Sequence, residues 1–164
     1  MSETVTHLPF SVHRIMFVCH GNICRSPMAE MVMADLLCNA NRKDVMTASA
    51  ATSTEEIGNG IHPGTYRILK RFAIPMRPHV AVQLTARDAE KYDLFIGMDA
   101  ANLRNMRRIL GKNAEDRIFN LLDFSDNPRD ISDPWYTGDF ETTYSDILEG
   151  CKALLKVIDI KDKA

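Results

Sequence analysis

Four short segments that favour β-strands alternate along the chain with longer segments in which apolar residues recur at helical spacing. The strand segments lie at residues 15–18, 45–49, 93–97 and 117–120, the last being the weakest, and helical spacing marks residues 27–40, 63–72, 103–110 and 140–158. Strands separated by helices pair in parallel through right-handed crossovers, which leaves helices on both faces of the sheet. The pattern therefore predicts an α/β fold, a three-layer sandwich around a central four-stranded parallel sheet.

The length of 164 residues suits one domain. Residues 1–13 are mostly polar, include Pro9 and show little periodicity, so they predict a flexible N-terminal extension ahead of a domain at residues 14–160. The composition, 45% hydrophobic and 26% charged, is that of a soluble protein without a bilayer-spanning run. The first residues also lack the pattern of a secretory signal. We expect a soluble, cytoplasmic protein.

Charge and cysteine content exclude several classes of function. A net charge of -2 with mixed signs gives no field that would gather nucleic acid or an anionic membrane. Four cysteines are even in number, but a domain of this size needs no disulfides for stability. The thiols are therefore expected to be functional in a reducing compartment. Cys38 and Cys151 fall on predicted helix faces and are expected to be core residues.

The loop after the first predicted strand carries the strongest chemical signal. Ligands of open parallel sheets bind at the carboxyl ends of the strands. Here successive backbone amides lead into a helix start, which forms an anion-binding concavity that also favours a thiolate over a thiol. The loop is thus predicted to bind phosphate beside a nucleophilic cysteine. It consists of Cys19, His20, Gly21, Asn22, Ile23, Cys24, Arg25 and Ser26.

The residue types within this loop suit phosphate chemistry. Arg25 offers a planar fork that can hold two phosphate oxygens through a transition state. Gly21 allows close approach and a positive φ, and Asn22 tolerates a left-handed conformation. Ser26 is predicted to cap the helix, with Pro27 at its first position, while its hydroxyl bonds the Cys19 sulfur.

Two other interpretations of the loop stay open. Its cysteines can be small buried residues at a strand end, with Arg25 solvating a helix start. A metal site is also conceivable because Cys19, His20 and Cys24 are clustered, but the spacing lacks a second ligand pair and Arg25 would repel a cation. The proposed chemistry requires neither a metal nor another cofactor.

A long irregular stretch at residues 121–139 contains Asp133, Pro134, Trp135 and Tyr136. Hydrolysis of a phosphomonoester needs a proton donor for the leaving oxygen, which Asp133 can supply. Trp135 and Tyr136 can form an aromatic wall against a substrate ring. Taken alone this signal is weak, since Asp-Pro followed by aromatic residues is more often an ordinary turn.

Together the two segments resemble the low-molecular-weight protein tyrosine phosphatase family. The resemblance covers about residues 14–158 and extends to residues 49–52, 56–59, 74–76, 79–81, 98–99, 102–104 and 139–142. It implies hydrolysis of phosphotyrosine in proteins and of small aryl phosphates through a phosphocysteine intermediate, with release of inorganic phosphate. It also implies that Cys19 is the nucleophile, Arg25 the phosphate clamp and Asp133 the general acid and then base.

The same resemblance implies supporting roles for other residues. Ser26 would stabilise the thiolate, and Asn22 would hold the loop by hydrogen bonds to Ser49 and its neighbours. His79 would hold Ser26, although the match there needs a one-residue shift around Arg77 and Pro78. Cys24 would close a protective disulfide with Cys19 under peroxide, making the enzyme redox-regulated.

The chain departs from the family pattern at two positions. His20 follows the nucleophile, where a small or aliphatic residue is more usual. Glu55 takes the place of a residue that often forms a second aromatic wall, so one side of the cleft is expected to be acidic and to favour basic or small substrates.

Three alternatives remain for the function. Protein arginine phosphatases share the fold but prefer Thr at the position of Ile23. Arsenate reductases of this fold need two further cysteines near the middle of the chain, and residues 80–98 contain none. A non-catalytic phosphotyrosine-binding module would need neither Cys19 nor Asp133. We expect a monomer or weak homodimer.

Overall fold

A computed structural model describes residues 3–163, with side chains up to residue 159. Its centre is one sheet of four strands, all parallel, in the order β2-β1-β3-β4. The strands are β1 (Arg14–Cys19), β2 (Met46–Ala51), β3 (Leu94–Gly97) and β4 (Ile118–Asn120). This confirms the predicted four-stranded parallel sheet, because each predicted strand segment forms a strand within a few residues of its expected limits.

Five α-helices connect and cover the strands. They are α1 (Arg25–Asn39), α2 (Pro63–Arg71), α3 (Ala100–Leu110), α4 (Pro134–Thr137) and α5 (Phe140–Lys163). Short 3₁₀ turns occupy Ala86–Glu90, Lys112–Arg117 and Leu121–Phe124. No helix within residues 3–163 is both long and apolar enough to cross a membrane.

The two faces of the sheet carry separate cores. Side chains alternate along a strand, so Phe17 and Ile96 point to one face while Met16 and Phe95 point to the other. The first face packs against α1, α2 and α5, and the second packs against α3. The arrangement is the predicted three-layer sandwich, and it brings the carboxyl ends of β1 and β3 side by side.

The segment before β1 contributes to the first of these cores. The side chains of Leu8 and Val12 are buried, with exposed fractions of 1% and 2%. The backbone amide of Val5 donates to the carbonyl of Asp123 over 2.8 Å. The predicted boundary between a flexible extension and the domain stays a prediction, and residues 1 and 2 of that extension lie outside the described residues. The core itself nevertheless includes side chains that precede residue 14.

Two expectations about local structure were wrong. The stretch at residues 121–139 contains a 3₁₀ turn and the single-turn helix α4, which is too short to show periodicity in the sequence. Cys38 is exposed instead of buried, since Leu37 occupies the inward position in the last turn of α1. Cys151 is buried, as predicted.

Candidate active site

The sulfur of Cys19 lies at the base of the loop that joins β1 to α1. Three donors surround it: the backbone amides of Asn22 and Ser26, at 3.3 and 3.4 Å, and the Ser26 hydroxyl, at 3.1 Å. Hydrogen bonds to the charged form of a group favour that form. The loop therefore provides the surroundings that stabilise a thiolate at Cys19, which is 3% exposed.

Ser26 does not cap α1, contrary to the prediction. The helix begins at Arg25, and its N-cap residue, Cys24, makes no side-chain capping bond. Ser26 lies inside the first turn, where its Oγ accepts a hydrogen bond from Asn22 Nδ2 over 2.7 Å and faces Cys19 Sγ. A side-chain cap is dispensable because the Ser26 backbone amide, in this first turn, already donates to Cys19 Sγ.

Asn22 holds the shape of the loop. Its backbone is left-handed, with φ 60, whereas Gly21 has no positive φ, so the positive φ expected at Gly21 lies one residue later. The Asn22 side chain donates to Ser49 Oγ over 2.9 Å, as predicted. His79 was predicted to hold Ser26, but its Nε2 donates instead to the Asn22 carbonyl over 2.8 Å.

Arg25 is almost completely buried beneath the loop, with 2% of its surface exposed. Its Nη1 donates to Asp99 Oδ2 over 2.7 Å and to the Ile131 carbonyl over 2.9 Å, and its Nη2 lies 3.3 Å from Asp133 Oδ2. Burial alone would lower the pKa of Arg25, but the negative charges of Cys19, Asp99 and Asp133 outweigh burial and raise it. The guanidinium is a fixed cation.

The sequence did not assign a role to Asp99. The available signal was its position directly after β3, at the sheet edge where ligand sites occur, within a segment that matches the family. Its side chain also accepts a hydrogen bond from the Asn102 amide over 2.8 Å and so caps α3.

Asp133 stands at the rim of the cleft and caps α4. Its Oδ1 accepts from the Trp135 amide over 3.1 Å, and Pro134 occupies the first helical position. This cap turns Trp135 and Tyr136 outward, with exposed fractions of 56% and 83%. The cleft is lined by Cys19, His20, Gly21, Ile23, Cys24, Arg25, Glu55, Glu56, Asp133, Trp135 and Tyr136.

The two positions that depart from the family pattern contact each other. His20 Nε2 and Glu55 Oε2 are 2.7 Å apart at the mouth of the cleft. Both side chains are exposed, at 49% and 69%. The sequence separated them by 35 residues and gave no sign of this contact.

Cys24 belongs to the same loop as Cys19 and is 5% exposed. Burial, followed by the negative charges of Cys19 and Asp133, raises the pKa of Cys24 to about 12. Cys24 is therefore a neutral thiol near neutral pH, and all four cysteines are free. Within the described residues, no three histidine, cysteine or carboxylate side chains form a cluster that could hold a metal ion.

Comparison with known proteins identifies relatives that share this architecture. The low molecular weight protein-tyrosine-phosphatase PtpA of Staphylococcus aureus (strain MRSA252) is 37% identical over 149 residues, covering 90% of this chain and 94% of that protein. The low molecular weight protein-tyrosine-phosphatase YfkJ of Bacillus subtilis (strain 168) is 39% identical over 147 residues, covering 88% and 94%.

Solved structures agree with the sequence matches. The crystal structure of YfkJ from Bacillus subtilis matches with a TM-score of 0.88 at 38% identity, covering 96% of this chain and 100% of that chain. The crystal structure of DARP, a drosophila arginine phosphatase, matches with a TM-score of 0.79 at 28% identity, covering 87% and 95%.

The family model described as "Low molecular weight phosphotyrosine protein phosphatase" matches residues 14–164, which is most of the chain. Its match begins at the first residue of β1 and includes the loop, Asp99 and Asp133. The chain therefore belongs to the low molecular weight phosphotyrosine protein phosphatase family.

Proposed function

We propose that this protein hydrolyses phosphotyrosine in proteins through a phosphocysteine intermediate. The observation that carries the proposal is the convergence of three groups on one cleft. The Cys19 sulfur has three hydrogen-bond donors around it, the Arg25 cation is buried beneath the loop, and the Asp133 carboxylate stands 3.3 Å from that cation. Phosphate binding alone would need neither the sulfur nor the acid.

In the first step the Cys19 thiolate attacks phosphorus and the bond from phosphorus to the tyrosyl oxygen breaks. Asp133 in its protonated form gives its proton to that oxygen, so tyrosine leaves as the neutral phenol. Arg25 and the loop amides stabilise the charge on the transferring phosphoryl group. The S–P bond of the phosphocysteine replaces the bond that was lost.

In the second step water attacks the phosphocysteine. Asp133, now a carboxylate, takes a proton from that water, the S–P bond breaks, and inorganic phosphate leaves. Cys19 returns to the thiolate and Asp133 to the acid, so one cycle consumes one water and needs no cofactor. Because Asp133 Oδ1 is held by the Trp135 amide, the carboxyl group keeps its position through both steps.

The walls of the cleft favour an aryl substrate. Trp135 and Tyr136 are exposed beside Asp133 and can pack against a tyrosyl ring whose phosphate lies on the loop. We further propose a cytoplasmic location, since a thiolate nucleophile beside a second free thiol needs a reducing compartment. A monomer or weak homodimer is the proposed assembly.

Turnover of p-nitrophenyl phosphate and of phenyl phosphate near pH 6 tests the proposal. Cys19→Ser should lose turnover, and Asp133→Asn, which keeps the cap of α4, should lower kcat by roughly 10²- to 10⁴-fold. The loss should be larger for phenyl phosphate, because its poorer leaving group depends more on protonation.

Asp139 supplies the matched control, because it accepts from the Thr142 amide at the start of α5 but does not line the cleft. Asp139→Asn should leave both rates unchanged. If wild type and Cys19→Ser turn over alike, the protein is not a cysteine-dependent phosphatase. Hydrolysis of a phosphoarginine peptide in preference to a phosphotyrosine peptide would favour arginine phosphatase activity instead.

A further inference from the structure

A chain of hydrogen bonds leads from the nucleophile to the far side of the loop. Ser26 Oγ faces Cys19 Sγ, Asn22 Nδ2 donates to both Ser26 Oγ and Ser49 Oγ, and Ser49 Oγ donates to Glu30 Oε1 over 2.5 Å. Glu30 lies in the second turn of α1 and is mostly buried, with 12% of its side chain exposed. The chain thus ends on a carboxylate that the phosphatase mechanism does not use.

The partners of each group fix the direction of these hydrogen bonds. Asn22 Oδ1 accepts from the Val82 amide over 3.1 Å, so the amide nitrogen must face the two serines. Its two hydrogens then go to Ser26 and Ser49. Because Ser49 gives its own proton to Glu30, it is held as an acceptor for Asn22, and the Ser26 proton is left for the Cys19 sulfur.

A buried carboxylate so near the loop would oppose a thiolate unless its charge were balanced. Arg77 provides the balance, with Nε 3.3 Å from Glu30 Oε2. The guanidinium is itself held on β2, where Nη2 donates to the Thr47 carbonyl and hydroxyl oxygens.

We propose that Glu30 and Arg77 form a remote positioning pair that sustains the Cys19 thiolate without touching the substrate. Glu30 is the terminal acceptor that orients Ser49 and, through Asn22, Ser26. Arg77 neutralises the negative charge of the Glu30 carboxylate. The proposal deepens the proposed function, because it concerns the same nucleophile, but its readout is the state of the sulfur and does not depend on phosphatase activity.

Other charged groups lie around the loop and must stay constant in a test. They belong to the loop itself, to α1, to the end of β3, to the start of α4 and to the turn after β2. His79 also bonds the loop, at the Asn22 carbonyl. These groups are Arg25, Asp99, Asp133, Glu56 and His20 with Glu55. None of them contacts Glu30 or Arg77 in the described residues, so substitutions at the pair leave them in place.

The test measures the rate of Cys19 alkylation by iodoacetamide against pH, with modified peptides quantified by mass spectrometry. Arg77→Met should move the midpoint of the rate profile to higher pH and slow alkylation at pH 6 by roughly threefold to tenfold. Glu30→Gln keeps an acceptor oxygen without the charge, so its profile should match wild type or lie at lower pH. The double variant should behave like Glu30→Gln, since the counter-ion is needed only when the charge is present.

Two controls separate this effect from general loss of structure. Arg77→Lys keeps the charge and should retain the wild-type midpoint. Arg71→Met removes an exposed pair with Glu141 away from the loop and should change nothing. The proposal is overturned if Arg77→Met leaves the midpoint unchanged, or if it shifts the midpoint equally with and without Glu30→Gln.

Turnover of p-nitrophenyl phosphate by the same variants keeps the two proposals distinguishable. An altered alkylation profile in a protein that never turns over this substrate would reject the phosphatase function and retain the pair. Normal turnover together with an unmoved profile would reject the pair alone.

Discussion

Arg25 and Asp99 are joined by a hydrogen bond of 2.7 Å between Nη1 and Oδ2, beneath the loop that carries Cys19. The other oxygen of Asp99 accepts from the first turn of α3, over 2.8 Å from the Asn102 amide. One carboxylate therefore fixes Arg25, the proposed phosphate clamp, to the start of a helix on the opposite face of the sheet. The guanidinium is also bonded by Ile131 and Asp133, beyond the carboxyl end of β4, so it cannot swing freely.

The Asp99→Asn substitution separates the contact of Asp99 with Arg25 from its capping of α3. Asp99→Asn keeps the cap, because Asn is as good a cap as Asp, but replaces a charged acceptor for Arg25 with a neutral one. We expect kcat/KM for an aryl phosphate to fall roughly tenfold, about 1.4 kcal/mol of transition-state stabilisation, at unchanged stability. Asp99→Ala should also lose about 1 kcal/mol in the free energy of unfolding. Steady-state kinetics and urea unfolding measure the two effects, and full activity in Asp99→Asn would contradict the positioning role.

Thiol reactivity should differ sharply between the two cysteines of the loop. Because burial raises the pKa of Cys24 to about 12, its thiol is protonated near neutral pH and reacts with alkylating agents far more slowly than a thiolate does. At pH 7 iodoacetamide should modify Cys19 and the exposed Cys38, and should leave Cys24 and Cys151 unmodified. Peptide mass spectrometry over a time course checks this. Labelling of Cys24 as fast as Cys38 would disprove the protected state.

Mild peroxide should convert the reduced protein to a form with a bond between Cys19 and Cys24. The sulfenic acid of Cys19 would condense with the Cys24 thiol and lose water, which prevents further oxidation. Activity should return with dithiothreitol in wild type and should be lost irreversibly in Cys24→Ser. Mass spectrometry that finds Cys19 as sulfonic acid without a link to Cys24 would reject redox protection.

The contact between His20 and Glu55 should affect substrate choice at the mouth of the cleft. Glu55→Gln removes a negative charge, so KM should rise about twofold to fivefold for phosphotyrosine peptides with neighbouring Lys or Arg. The effect should fade at high salt because both side chains are exposed. A peptide panel at two ionic strengths measures it, with Glu90→Gln, which is exposed and does not line the cleft, as the control. Equal KM changes for acidic and basic peptides would argue against a charge effect.

The segment before β1 should contribute to stability. Leu8 is 1% exposed within the core that includes α5, so Leu8→Ala should lower the free energy of unfolding by about 2–5 kcal/mol. The exposed neighbour His7→Ala should change it by less than about 0.5 kcal/mol. Urea unfolding measures both. Identical midpoints for the two variants would support the prediction that residues 1–13 form a separate, flexible extension.

The sheet and the loop could be predicted from the sequence because their signals are local. Strands β1 and β3 are short and largely apolar, and the residues from Cys19 to Ser26 are adjacent in the chain. The pairs of Arg25 with Asp99 and of His20 with Glu55 could not be predicted, since they join residues 74 and 35 positions apart. Polar contacts of that kind leave no periodicity in the sequence.

Short or isolated elements escaped prediction for a related reason. Leu8 and Val12 lie in a short segment interrupted by Pro9, and α4 has only four residues, so both segments are too short for a reliable pattern. Matching to the family pattern gave His79 the partner Ser26, but a pattern match specifies a nearby residue and not the atom that is bonded. The His79 ring bonds the Asn22 carbonyl instead of Ser26.

The position of β1 between β2 and β3 has a consequence for the durability of catalysis. A strand bonded along both edges exchanges its amide hydrogens only when most of the sheet opens, so β1 belongs to the most persistent part of the molecule. Cys19, the proposed nucleophile, is the last residue of β1. Local movement of the exposed Trp135 and Tyr136 can thus alter which substrates enter the cleft. The Cys19 sulfur keeps its position until the sheet unfolds.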